Sequence, residues 1–173
     1  MKRLTARDTE ALGELYDRYS HLLFGLIVRI LQDRGEAEDV LQEVFVQAWS
    51  RASSYDAALG PPAAWLLGIA RNRSIDRLRA KATRQRTLDH VPIPPSLETS
   101  ESITGATERQ RQIRRALDTL PTEQRDLIEQ AYFLGSTQAE MAAQLNLPLR
   151  TVKTRVRTGL TRLRTLLHTQ VEQ

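Results

Sequence analysis

The sequence predicts an all-α protein of two small helical domains joined by a flexible linker, the C-terminal domain being a helix-turn-helix. Three observations predict it. Apolar residues recur at three-and-four spacing in several separate segments, and no segment alternates apolar and polar residues as a strand does. Between these segments, from Thr87 to Thr107, aromatics and periodicity vanish while Pro92, Pro94, Pro95 and many Ser and Thr appear. The boundaries are therefore 1–86, linker 87–107 and 108–173. A chain of 173 residues, 40% hydrophobic, can bury one ordinary core or two small helical ones.

The first helix carries Leu12, Leu15, Tyr16, Tyr19, Leu22, Leu23, Leu26, Ile27 and Ile30 on one face, and Gly35 is expected to end it. A second helix repeats the period with Ala37, Val40, Leu41, Val44, Phe45, Ala48 and Trp49. After SSYDAALG, Pro61 and Pro62 open a third helix, roughly Ala63 to Arg79, because proline is tolerated in a first turn. Beyond the linker, Ile113, Ala116, Leu117 and Leu120 start a helix that stops at Pro121. Leu127, Ile128, Ala131 and Tyr132 resume the period.

Composition excludes several classes of function. No cysteine is present, and His21, His90 and His168 lie far apart without carboxylates at ligand spacing, so neither metal nor cofactor chemistry is expected. With 27% charged residues, a mean hydropathy of −0.42 and no apolar run near the ~18 residues of a membrane span, the chain reads as soluble, with no membrane insertion. MKRLTARDTEALGEL lacks the apolar core of a secretion signal, so the expected address is cytoplasmic. The acids look like scattered surface groups rather than a clustered pocket, which makes a nuclease or other enzyme a distant reading.

Charge is unevenly distributed. Arg71 to Arg86 holds seven basic residues against Asp76 alone, and Arg150 to Arg164 holds six against none. Asp33 to Gln47 reverses the sign, with five acids against Arg34. Two basic stripes and one acidic patch suggest a bridge between a polyanion and a basic partner. All but three of the 25 basic residues are arginines, whose planar fork suits phosphates and base edges.

The most informative stretch is STQAEMAAQLNLPLRTVKTRVRTGLTRLR. Thr137 and Glu140 form a capping box opening a short helix whose Met141, Ala142 and Leu145 pack inward. Asn146, Leu147 and Pro148 make a break of helix-turn-helix length, and Val152, Val156, Leu160 and Leu163 define the next buried face. Opposite that face stand Arg150, Thr151, Thr154, Arg157, Thr158 and Thr161, flanked by Lys153 and Arg155. An apolar back and a front of cations and short hydroxyls are what a DNA recognition helix needs; a merely solvated basic face is the bland alternative. Gly159 signals either close packing or nothing functional.

The order EAEDVLQEVFVQAW, PAAWLLGIARNRSIDRLRAK, polar linker, LPTEQRDLIEQAYFLGSTQAEMAAQLNLPLRTVKTRVRTGLTRLR resembles an extracytoplasmic-function (ECF) sigma factor of bacterial RNA polymerase, over all but the linker and the ends. The resemblance implies a non-enzymatic initiation factor whose partners are core RNA polymerase, promoter DNA and an anti-sigma factor. In it the first domain grips the polymerase clamp and opens the −10 element, and the second reads the −35 element. DVLQE places Asp39, Gln42 and Glu43 against the clamp; without the resemblance, an ordinary solvated acidic face is preferred. WLLGIARNRSIDRLR makes Trp65, Arg71, Asn72, Arg73, Asp76, Arg77 and Arg79 the −10 candidates, although Trp65 is more often core and Asp76 can be an ion-pair partner of Arg73 or Arg79. The loop SSYDAALG is where the family captures a flipped base. For the −35 element the candidates are Arg150, Thr151, Lys153, Thr154, Arg155, Arg157 and Thr158. Pro148, Leu149 and Arg150 depart from the small residues and glycine usual there, which leaves the −35 preference open. The rival reading is a polymerase-independent helix-turn-helix regulator that binds a palindrome as a dimer.

Overall fold

The computed structural model describes residues 1–87 and 108–169, and among them every regular element is helical. The chain divides into two compact units, Met1–Ser100 and Glu101–Gln173. Most of the expected linker, from residue 88 to 107, lies outside the described residues.

The N-terminal unit opens with α1 (Lys2–Thr5), a short helix that the periodicity does not reveal and whose Leu4 is buried. Asp8 caps α2 (Thr9–Leu31), its Oδ1 accepting the amides of Glu10 at 3.0 Å and Ala11 at 3.3 Å. Arg3 ties α1 to this cap, pairing with Asp8 at 2.6 Å and Glu14 at 2.8 Å. The helix does not end at Gly35. Gln32 adopts the left-handed conformation at φ 54°, and Asp33 then caps α3 (Arg34–Ser50) through the Glu36 amide, so Gly35 falls in the first turn of α3. A two-residue junction with its own acid cap outweighs glycine's weak preference for a helix end.

Short 3-10 turns, Ala52–Ser54 and Ala57–Leu59, lead to α4 (Pro62–Thr87), which starts at the predicted prolines and runs two turns past the expected end. The Tyr55 hydroxyl donates to the Gly60 carbonyl at 2.9 Å, and Gly60 turns the chain at φ 141°, a conformation that side chains rarely adopt. Leu23, Ile27 and Ile30 of α2, Val40 and Val44 of α3, and Leu66 and Ala70 of α4 fill the core. Each of these leucine, isoleucine and valine side chains contributes ~1.5–3 kcal/mol of burial. Ser74 is the buried exception in α4, and its hydroxyl is satisfied by the Ala70 carbonyl at 2.8 Å.

The C-terminal unit comprises α5 (Glu108–Asp118), α6 (Thr122–Glu129) continued by a π turn over Gln130–Leu134, α7 (Gln138–Gln144) and α8 (Leu149–Thr169). Pro121 separates α5 from α6 as expected. The core gathers Leu127, Met141, Ala142, Val152 and Val156, with Ala131 and Leu147 at its edge.

Candidate functional site

The helix-turn-helix is built as its residues dictate. Thr137 Oγ1 accepts the Glu140 amide at 3.2 Å while a Glu140 carboxylate oxygen accepts the Thr137 amide at 2.6 Å, the predicted capping box. Asn146 then takes the left-handed conformation at φ 53°, and the Leu147 amide returns to the Ala142 carbonyl at 3.0 Å. The Pro148 carbonyl accepts the first amides of α8, from Thr151 at 2.8 Å and Val152 at 3.3 Å.

Two core assignments in this motif are corrected. Leu145 is 44% exposed and Leu160 is 50% exposed, whereas Gly159 is buried. For Leu160 the cause is α6: a Cβ on Gly159 would stand 2.8 Å from Ile128 Cδ1 and 3.2 Å from Gln124 Cβ. Close helix approach at Gly159 rotates the contact line away from Leu160. Leu160 instead lines a shallow surface depression with Gln138, Lys153, Val156, Arg157, Thr161 and Arg164.

On the outward side of α8, Arg150, Lys153, Thr154 and Arg157 are exposed, and Thr151 and Thr158 are half-buried. Arg155 differs from the rest, for its guanidinium pairs with Glu123 of α6 at 2.8 Å. The Thr154 hydroxyl donates to the Arg150 carbonyl at 2.9 Å, so its oxygen is left to accept. This front carries several exposed cations and no acid.

The N-terminal unit treats its basic stripe differently. Arg77 forks between two carboxylates of α3, with Nη1 to Glu36 at 2.6 Å and Nη2 to Glu43 at 2.6 Å. The Glu36 bond raises the Arg77 pKa above its ordinary value, against the opposing effect of burial. Arg73 donates through Nε to Gln47 at 2.6 Å and lies 3.9 Å from Glu43, and Lys81 lies 3.9 Å from Asp33. The pairs run in opposite order along the two helices, which makes α3 and α4 antiparallel. The acidic and basic segments are thus one another's neighbours, whereas the charge pattern by itself suggested outside partners for both.

Asp39 and Gln42 are exposed on α3, while Glu43 is half-buried and engaged. All three line one open groove with the strongly exposed Val46, Gln47, Ser50 and Arg51, closed on the α4 side by Arg73 and Arg77. Val46 is an apolar member of this face that the sequence reading missed. Its clue was position, since 46 follows 39, 42 and 43 on the same helical face at i+7. Asn72, Asp76 and Arg79 are exposed and Arg71 is half-buried. Trp65 is neither deep core nor bare, standing edge-on to Tyr55 with ring centroids 5.7 Å apart. It therefore braces the loop that ends at Gly60. No group of histidine and acid side chains able to hold a metal occurs among the described residues.

Residues 15–84 match the family model of Sigma-70 region 2, and residues 110–163 match that of Sigma-70 region 4. Together the two matches define a sigma-70-type initiation factor, represented in this chain by its second and fourth regions. The ECF RNA polymerase sigma factor SigK of Mycolicibacterium vanbaalenii is 36% identical over 171 residues, covering 96% of this chain and 87% of that protein. SigK of Mycobacterium tuberculosis is 34% identical over 170 residues, with 96% and 91% covered. A solved structure of Rhodobacter sphaeroides SigE in complex with the anti-sigma ChrR is 32% identical, covers 95% of this chain and 93% of that one, and superposes with a TM-score of 0.47. The chain belongs to the ECF sigma factors of bacterial RNA polymerase. That membership favours the sigma reading over the polymerase-independent regulator. No helix among the described residues is long and apolar enough to cross a membrane.

Proposed function

We propose that this chain recruits core RNA polymerase in the cytoplasm to a restricted promoter set and helps open the DNA, with no catalytic site of its own. Residues 1–86 bind the polymerase clamp and melt the −10 element, and residues 108–173 read the −35 element, on either side of a linker over 87–107. The observation that carries this reading is the exposed, acid-free front of α8, held on the core by Val152 and Val156. Arg150, Lys153, Thr154 and Arg157 make the −35 contacts, with Thr151 and Thr158 at their margin. Arg155, engaged by Glu123, serves first to orient α8.

Asp39, Gln42 and Glu43, with Val46 beside them, form the clamp contact. Arg71, Asn72, Asp76 and Arg79 take the −10 strand, Trp65 braces the capture loop, and Arg73 and Arg77 stand at the α3 side of that helix. Membership of the family also supports an anti-sigma partner that masks these surfaces. Runoff transcription by purified core polymerase on genomic promoter fragments, with and without the chain, tests the proposal. New transcript starts under a shared pair of spaced elements are expected. Duplex binding by the chain alone, with polymerase neither bound nor redirected, would withdraw it.

A further inference from the structure

We infer that Arg77 is a positioning residue for the polymerase-contact face of α3 and not a DNA ligand, and that it acts with Glu36 and Glu43 as one electrostatic unit. The inference rests on the sigma reading above and assigns a role that the sequence motif alone distributes differently.

Three observations carry it. First, both ends of the Arg77 fork are occupied at 2.6 Å, by Glu36 Oε2 and Glu43 Oε1. The charge of Arg77 is thus already compensated at short range, so a phosphate approaching it does not meet a cation in waiting. Second, each oxygen of Glu43 faces a different arginine, Oε1 facing Arg77 at 2.6 Å and Oε2 facing Arg73 at 3.9 Å. A glutamate bonded at one oxygen and drawn at the other toward a second arginine has less rotamer freedom to lose when a partner arrives, which is how a preorganised contact gains affinity. Third, Arg77 stands in the wall of the groove that holds Asp39, Gln42, Glu43 and the exposed Val46. Its side chain is 27% exposed, so it is committed to that wall.

Lysine separates the two roles. A lysine at this position keeps the charge that a phosphate contact needs but loses the planar fork that spans two carboxylates. The test uses the full chain and purified core polymerase. Equilibrium affinity for the polymerase is measured first, then the salt dependence of promoter binding by preformed holoenzyme at saturating polymerase, for R77Q, R77K and E36Q. Positioning predicts that R77Q weakens polymerase binding roughly fivefold and that R77K stays nearly as weak. It also predicts that E36Q weakens polymerase binding by about twofold although Glu36 is neither a clamp nor a DNA candidate, with the salt slope unchanged in all three.

A DNA role predicts unaltered polymerase affinity, a salt slope reduced by about one in R77Q, and recovery in R77K; that pattern overturns the inference. Promoter binding tightened by E36Q, as if Arg77 had been released to the DNA, overturns it as well. Should R77Q unfold at the assay temperature, E36Q and R77K still decide the question. Failure of the wild-type chain to bind polymerase would instead sink the sigma reading itself, before any variant is compared.

Discussion

On α4, seven basic residues from Arg71 to Arg86 stand against one acid, and on α8 six from Arg150 to Arg164 stand against none. As sequence the two stripes carry equal net charge. In the fold, Arg73, Arg77 and Lys81 of the first turn toward the acids of α3, while Arg150, Lys153 and Arg157 of the second face outward and Arg155 reaches Glu123 of the adjoining helix. The difference lies in the neighbour. Helix α4 packs on a helix with five acids between Asp33 and Gln47, whereas α8 packs on α6 and α7 through Val152, Val156 and Gly159. Net charge along a helix therefore measures potential for nucleic-acid contact only after subtraction of what the neighbouring helix neutralises.

The comparison can be broken most severely at α8. Replacing Lys153 and Arg157 together by Gln should lower promoter affinity by about 10–100-fold and reduce its salt slope by about two, with core polymerase affinity unmoved. Salt-titrated promoter binding by the holoenzyme checks it, and an unchanged slope would show that the outward cations do not meet phosphates.

Gly159→Val tests whether the exposure of α8 depends on close approach to α6. The added side chain meets Ile128 and Gln124, and ~1–3 kcal/mol of destabilisation is expected in thermal unfolding of the C-terminal unit. Fully retained stability would mean that Ile128 swings aside at no cost.

The acid–base pairs of the N-terminal unit should show a pH signature. Hydrogen bonding from Arg3 holds the Asp8 carboxyl below its ordinary pKa, and the amide of Ala11 adds to this. A carboxyl depressed in the folded state stabilises it above the unfolded pKa of about 3.9, and that contribution disappears as pH falls through the folded value. Asp8→Asn should therefore lower the melting temperature at pH 7 and make little difference near pH 2, as melting curves across that range would show.

The smallest effect belongs to the outermost rung of the α3–α4 ladder. Lys81 and Asp33 are 3.9 Å apart with side chains 48% and 44% exposed, so Lys81→Ala should change stability by less than about 0.5 kcal/mol. A larger loss in urea unfolding would mean that the ladder is cooperative along its length.

Much of this molecule follows from local rules that the chain carries within a few residues. The period of α2 and α3, the prolines opening α4, the Thr137–Glu140 box and the Asn146–Pro148 break all depend on interactions between near neighbours in sequence, and each is found where the pattern places it. The family, too, could be read from the ordered motifs. Helix α1 stayed hidden because four residues are too few to display a period, and Gly35 misled because glycine marks a helix end only when no stronger cap lies beside it.

What remained was set by contacts between residues far apart in the chain. No local rule announces that Glu36 and Glu43 will meet Arg77, some forty positions away, or that Gly159 will lie against Ile128 and so push Leu160 into solvent. Helix formation is a short-range hydrogen-bonding problem with a fixed period, whereas the rotation of one helix against another is chosen by packing and charge pairing over whole faces. The α8 stripe could be read from sequence because its apolar back dictated its front. The α4 stripe could not, because its partner was another charged helix.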